Sequence, residues 1–341
     1  MTTARAIAIA ALLAGCGDDH RPPAATPDGG RDDAAPPRGD GGGDGTLAER
    51  YPGDIGLQGD PAVVFVENFE APSLSAITDR WEYANAGGLA LVADVPPASS
   101  GTASLAMTAG GAMPAAADLY TRLPGDGFDR LFVRWYVNYE AGASFTHGGM
   151  WFGGYEPSID FPFPMQGTRP AGDDRVLVAF EARGNLMDFH NYWMNMHGEG
   201  ASFPGNALVH DRERVRPQGG WLCIEVMVAL NTDPTSAAGG ELQLWSNDTE
   251  VVHFTESGPT GYWVQEDFCA NGVGDDELCE QFHPGGTPME RLELQYRSSL
   301  DLKLDHLWPQ NYTESEVAST LKLDDVVVAT ERIGCIRAPA R

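Results

Sequence analysis

Leu222-Cys223-Ile224-Glu225-Val226-Met227-Val228-Ala229-Leu230 alternates residue by residue: Leu222, Ile224, Val226, Val228 and Leu230 share one face, and Cys223, Glu225 and Met227 share the other. A period of two is that of a strand buried on one side, whereas a helix buries residues three and four apart. Outward from this segment, short runs rich in Val, Phe, Tyr, Trp and Leu recur between Gly, Pro and Asp, and no stretch sustains a helical period. The pattern predicts strands over Ala62–Phe69, Ala103–Thr108, Ala117–Arg122, Leu131–Tyr139, Gly148–Gly153, Arg175–Arg183, Met187–Met194, Gly220–Leu230, Gly240–Trp245, Thr249–Phe254, Arg291–Arg297 and Lys322–Arg332. A dozen strands with turn-like connections imply an all-β sandwich of two antiparallel sheets. One piece, Tyr312–Ser319, suits a helix, with Thr313 as cap and Glu316 three residues on.

The faces that are not core carry the functional signal. Phe132, Arg134, Tyr136 and Asn138 share one face of Leu131–Tyr139, one face of Arg175–Arg183 ends in Glu181 and Arg183, and Glu293, Gln295 and Arg297 oppose Leu292, Leu294 and Tyr296. Lysine, the usual residue of a solvated face, occurs only at Lys303 and Lys322. Faces of Arg, Gln, Tyr and Trp suit sugars, because flat rings stack on pyranoses and planar forks hold hydroxyls or carboxylates.

The N-terminus reads as an export leader. Met1–Arg5 carries Arg5, Ala6–Leu13 is apolar without interruption, and Leu13-Ala14-Gly15-Cys16 follows. The run is too short to span a bilayer, which takes roughly 20 apolar residues. Leu-Ala-Gly-Cys resembles the bacterial lipobox, so residues 1–16 are expected to be a lipoprotein signal peptide that ends in lipidated Cys16. Residues 17–48, rich in Gly, Pro, Asp and Ala, offer too little to bury and are expected to be a disordered tether. Residues 49–341 are then one domain in the cell envelope, outside the cytoplasm, with the outer membrane or cell surface as the expected location. Its membrane contact is through the lipid alone.

A formal charge of −27 argues against nucleic acid as a partner. With Cys16 lipidated, Cys223, Cys269, Cys279 and Cys335 remain, and an even number in an exported chain favours disulfides. Four cysteines allow three connectivities, and because Cys269 and Cys279 flank a short loop that a local bridge would staple, Cys269–Cys279 with Cys223–Cys335 is the expected one, the spacing alone leaving the other two open. Zinc is the rival reading, but no CxxC pair or short Cys/His spacing is present.

Val63-Val64-Phe65-Val66-Glu67-Asn68-Phe69-Glu70 resembles the opening strand of concanavalin A-like jelly rolls. Trp221–Glu225, then Leu230-Asn231, then Gly240-Glu241-Leu242-Gln243-Leu244-Trp245 resembles the paired strands of the polysaccharide-lyase-like branch of that superfamily, and Leu323–Gly334 resembles its closing strand. The resemblance implies a concanavalin A-like jelly-roll sandwich and two enzyme classes. Glucanases need paired carboxylates on one strand; here Glu241 is followed by Gln243 and Glu225 by Met227, so glycoside hydrolysis is disfavoured. Lyases cleave uronic-acid polymers by β-elimination, with Arg, Gln or Asn at the carboxylate and His or Tyr moving protons. The short Arg-, Gln-His- and Tyr-centred motifs of alginate lyases are absent.

For that chemistry the catalytic candidates are His147, in Thr146-His147-Gly148-Gly149-Met150-Trp151, and His190 and Tyr192, which alternate onto one face. The substrate-binding candidates are Arg134, Tyr136, Asn138, Arg183, Gln295, Arg297 and Trp245. No cofactor is required for β-elimination. A structural calcium ion, frequent in jelly rolls, could use Glu70 and Asp325. Besides a tethered lyase, a non-catalytic glycan-binding lipoprotein and a structural or adhesion module remain open. They differ in whether the polar residues converge on one groove.

Overall fold

The computed structural model describes residues 45–161, 164–209, 219–271, 279 and 289–339. The leader, Cys16, most of the tether, His20, His210 and His283 lie outside these residues. In chain order the strands are β1 (Val63–Glu67), β2 (Tyr83–Asn85), β3 (Leu89–Val92), β4 (Ser104–Ala109), β5 (Ala116–Arg122), β6 (Arg130–Tyr139), β7 (Phe145–Tyr155), β8 (Arg175–Gly184), β9 (Leu186–Phe189), β10 (Trp221–Ala229), β11 (Glu241–Ser246), β12 (Thr249–Phe254), β13 (Thr260–Val264), β14 (Asp267–Ala270), β15 (Glu290–Arg291), β16 (His306–Tyr312) and β17 (Ser319–Ala329).

One large sheet runs β12-β11-β10-β6-β17-β4-β3 with β1 also on β17; the other runs β2-β5-β16-β7-β8-β9. Their neighbours pair antiparallel. The chain crosses from one sheet to the other between β4 and β5, again between β5 and β6, and again between β6 and β7, the alternation of a jelly-roll sandwich. A three-stranded sheet, β14-β13-β15, is additional. The alternating residues dictate the core: Ile224, Val226 and Val228 of β10 and Leu131, Val133, Trp135 and Val137 of β6 join Met150 and Phe152 of β7 and Val176, Val178 and Phe180 of β8 in one cluster.

Three expectations fail for local reasons. Tyr312–Ser319 forms no helix, because Tyr312 ends β16 and Ser319 begins β17. Of Arg291–Arg297 only Arg291 is in a strand, although Leu292, Leu294 and Tyr296 are buried as the alternation requires. β16 was not foreseen because it contains Pro309, which has no N–H to give. Its ladder to β7 continues through Trp308 and Pro309, whereas that to β5 passes from Leu307↔Thr121 directly to Gln310↔Asp118. The missing donor thus falls in a two-residue gap of one ladder.

The folded body also starts earlier than residue 49. Thr46 caps a short helix (Leu47–Arg50) in a capping box with Glu49, and Leu47 and Ala48 are fully buried. Their amides donate to Arg332 O at 3.1 Å and Ile333 O at 2.8 Å, so the N-terminal segment is stitched to the chain after β17. Disulfides join Cys223 to Cys335 and Cys269 to Cys279.

This stitching covers the outer face of the larger sheet. Arg134, fully buried, pairs with Asp54 of the N-terminal segment and donates to Asp325 O at 2.9 Å and Gly334 O at 3.4 Å. Beside it Glu225, pushed up by burial, accepts from Ile333 N at 2.7 Å and Gly334 N at 2.9 Å. Replacing Arg134 with Ala strands these buried carboxylates and carbonyls. It should lower the free energy of unfolding by about 3–5 kcal/mol, as removal of one partner of a buried pair does. Denaturant titration checks this, and a loss below about 1 kcal/mol would show the clamp to be dispensable.

Candidate functional site

The outer face of the smaller sheet gathers the polar residues. Across it Tyr312 pairs with His147, Gln310 with Gly149 and Trp308 with Trp151, while Gly149 pairs with Glu181. After β9 the chain continues along β8: His190 N donates to Ala179 O, and Leu177 and Tyr192 exchange both backbone bonds. His147, Trp151, Glu181, His190, Tyr192, Trp308 and Tyr312 therefore share one face.

A local irregularity aims His147. The β7–β8 register runs Phe145↔Gly184 and then Gly148↔Ala182, so β7 carries one extra residue at 146–147. Such a bulge bends the strand and redirects a side chain. His147 Nδ1 lies 2.7 Å from Glu181 Oε1, and the other oxygen, Oε2, accepts from Trp151 Nε1 at 3.1 Å. Glu181 is fully buried, whereas the His147 side chain is 23 % exposed. A carboxylate only accepts, so Nδ1 carries the proton and the lone pair of the neutral ring is on Nε2.

The second histidine is fixed differently. Arg183 Nη1 stands 3.2 Å from His190 Nδ1, His190 Nε2 stands 3.1 Å from the Tyr192 hydroxyl, and that hydroxyl donates to Pro204 O at 2.8 Å. Arginine only donates, so Nδ1 accepts and Nε2–H donates to Tyr192. Burial first, then the charges of Arg183 and His147, hold His190 well below the usual imidazole range. Gly205 lets the chain pass over this ring, since a Cβ there would meet His190 Nε2 at 2.5 Å.

Tyr192, expected as a proton carrier, is thereby a structural hydroxyl: it is 1 % exposed, bonded on both sides and pushed up by burial. Tyr312, paired with His147 across the sheet, is only half-buried. Its ring lies 6.1 Å from that of His147, and its hydroxyl, bonded to Glu314 at 2.6 Å, is raised first by that bond and so stays protonated.

Of the expected binding residues, Arg183 reaches the site, and the other six are engaged elsewhere. Arg134, Tyr136 and Asn138 line the outer face of the opposite sheet, where Tyr136 accepts from Ile336 N at 2.8 Å and Asn138 donates to Asp94 at 3.4 Å. Trp245 stacks on Phe132 and under Arg332 there. Gln295 donates to Pro234 O at 2.6 Å, and Arg297 pairs with Asp129 and donates to Asn231 O and Leu302 O. The alternation that marked them as non-core is real, but other parts of the chain cover them. Glu181, Trp151, Tyr312 and Asp118 were not singled out for the site. Glu181 was visible on the polar face of its strand and Trp151 in the stretch around His147, while Tyr312 and Asp118 needed the register of the unforeseen β16.

Asp118 of β5 pairs with Gln310 and accepts from Trp308 Nε1 at 3.1 Å. It is 4 % exposed, and burial pushes its carboxyl up to about 6 against the hydrogen bonds from Trp308 and Asn85. Among the described residues, His147, Glu181 and His190 bring donor atoms within 4.8 Å of one another, a set that could hold a metal ion. Glu70 instead accepts from Thr102 and Ala103 amides at 2.6 and 2.7 Å. Asp324 and Asp325 are buried side by side, each with an Oδ2 lacking a partner, and both are raised, first by burial.

No protein-family model matches the chain, and no curated protein matches it. Among solved structures it is similar to alginate lyase Aly36B, with a TM-score of 0.47 and 11 % identity over 81 % of this chain and 99 % of that one. It is likewise similar to alginate lyase vAL-1 from Chlorella virus, with a TM-score of 0.47 and 12 % identity over 79 % of this chain and 99 % of that one. The marine PL-14 alginate lyase from Aplysia kurodai gives 0.47 and 13 %, over 79 % and 99 %. At these identities and TM-scores the likenesses assign neither an activity nor a residue role.

Asp118 supplies a pH test. Between the ordinary carboxyl value of 3.8 and about 6 the folded state keeps a proton that the unfolded chain has released, so stability falls as pH rises through that window and then levels off. Asp118→Asn lacks this loss, and its advantage over wild type should open from pH ~4 to ~6 to on the order of 3 kcal/mol. Denaturation curves at several pH values decide it; parallel profiles would mean that the carboxyl is not desolvated.

Proposed function

We propose that the chain is a polysaccharide lyase that acts on a uronic-acid glycan by β-elimination at the outer face of the smaller sheet. The observation that carries this is the partly exposed His147, whose Nδ1–H is held by buried Glu181 so that its Nε2 lone pair is free to take a proton. His147 removes the C5 proton, the C5–H electrons form the C4–C5 double bond, and the C4–O bond breaks. Glu181 stabilises the imidazolium as it forms, as an orienting carboxylate does. Arg183, exposed beside His190, neutralises the uronate carboxylate and so acidifies C5. Tyr312 supplies the proton to the leaving oxygen.

His147→Ala should abolish the absorbance of unsaturated uronide product from a panel of alginate, pectate and glucuronan. Glu181→Gln should lower kcat by about 10²-fold or more with little change in KM, since proton transfer contributes roughly 10²–10⁴. Turnover that survives His147→Ala would overturn the assignment.

Glycan binding without turnover is a second reading. It is favoured by Tyr83, 42 % exposed on this face and edge-on to Phe161 at 4.6 Å, a ring presented for stacking. Binding of the same polymers with no product from any of them would select it.

We also propose that Cys16 anchors the chain to the membrane by lipid and holds the domain outside the cytoplasm. Cys16→Ser should move the protein from the membrane to the soluble fraction. A structural Ca2+ is proposed at Asp324 and Asp325, with Glu70 nearby, because each aspartate has an orphaned buried oxygen that a hard cation would satisfy. Chelation should lower Tm by several degrees, about 1–2 kcal/mol for a domain of this size, and Asp324→Asn should remove that dependence. Equal melting with and without chelator would exclude the ion.

A further inference from the structure

His147, Glu181 and His190 each bring a donor atom to within 4.8 Å of the others. We propose that they form a binding site for a divalent transition metal of the zinc class, and that bound metal and free base are alternative states of His147; the second part rests on the lyase reading above.

Two imidazoles and one carboxylate are a donor set that zinc takes, with a fourth position left for solvent. Two of the three donors, Glu181 and His190, already have the outer partner that a ligand needs. Glu181 Oε2 is held by Trp151 Nε1, which leaves Oε1 toward His147. His190 Nε2–H is held by Tyr192, itself anchored on Pro204 O, so the lone pair on Nδ1 is the one it offers. A ring N–H bonded to a fixed acceptor is the arrangement that orients metal-binding histidines. Arg183 now donates to that lone pair at 3.2 Å. A metal would replace one cation with another, and Arg183 is exposed and can swing aside.

Bond lengths near 2.1 Å put tetrahedral donors roughly 3.4 Å apart, so the 2.7 Å between His147 Nδ1 and Glu181 Oε1 must widen while the wider separations in the set, within 4.8 Å, close. His147 sits on the bulge of β7 with 23 % of its side chain exposed, so the movement falls on the partly exposed ring and not on buried Glu181. When the metal takes the Nδ1 lone pair of His147, the proton formerly on Nδ1 passes to Nε2 and none is lost from the ring. Nε2 then donates and no longer accepts, so the base that faces substrate is removed.

Isothermal titration of the full chain with Zn2+ should give one site per chain, and Co2+ should give visible d–d bands. His147→Gln, at a partly exposed position that leaves the fold intact, should weaken Zn2+ binding at least tenfold, as should Glu181→Gln and His190→Gln where circular dichroism shows them folded. No saturable binding, or binding untouched by His147→Gln, overturns the site. Zinc at stoichiometric occupancy should abolish unsaturated product and chelator should restore it; binding with undiminished turnover overturns the exclusion. Absence of turnover from the metal-free protein would be a failure of the lyase reading, and the metal site would then stand or fall by the titration.

Discussion

A guanidinium with no exposure to water, Arg134, sets what the rest of the molecule can do. A sandwich has four sheet faces and its core uses two, so two polar faces remain for solvent, for ligand or for the chain itself. Arg134 commits one of them. A buried charge persists only when paired and hydrogen-bonded. Its partners come from both ends of the domain: Asp54 from the N-terminal segment, Asp325 O from the bulge of β17 and Gly334 O from the segment beyond. Glu225, opposite Arg134 across β10 and β6, holds the same C-terminal segment through two amides, and Cys223–Cys335 fastens it covalently.

With that face roofed, it is the outer face of the smaller sheet that gathers titratable groups around the partly exposed His147. There the charged groups pair within the sheet: Glu181 with His147 and Trp151, Asp118 with Trp308. The two faces thus differ in whether their polar groups are satisfied by distant chain or by neighbours that leave an edge toward solvent.

This division explains what could be read from the residues in order. The Leu222–Leu230 alternation identified β10 and its core face correctly, because burial on one side is a local property of a strand. Alternation equally marked Arg134, Tyr136 and Asn138 as non-core, and they are. Nothing local says what covers a non-core face, since the roof comes from residues 54 and 334, far away in sequence. His147, His190 and Arg183 were found because each sits on or beside a foreseeable strand. Tyr312 was lost for a local reason: Pro309 disguised β16, and Thr313 with Glu316 imitated a helix start. The bulge at 146–147, which turns His147 toward Glu181, is a matter of register between β7 and β8 and has no signature in either strand alone.

Hydrogen-bond direction then separates two histidines that composition treats alike. Carboxylates accept and guanidiniums donate, so Glu181 forces the His147 proton onto Nδ1 while Arg183 forces the His190 proton onto Nε2. The first ring spends its N–H on Glu181 and keeps its lone pair on Nε2, and the second spends its N–H inward on Tyr192. The same partners explain why Tyr192, next to a histidine in a strand, is held in place while Tyr312, across the sheet from His147 and bonded to a surface carboxylate, keeps its proton where a ligand can reach it. The proton positions at this face therefore follow from the identity of each neighbour as donor or acceptor, and Glu181, which sets that of His147, is the residue whose loss would blur the distinction.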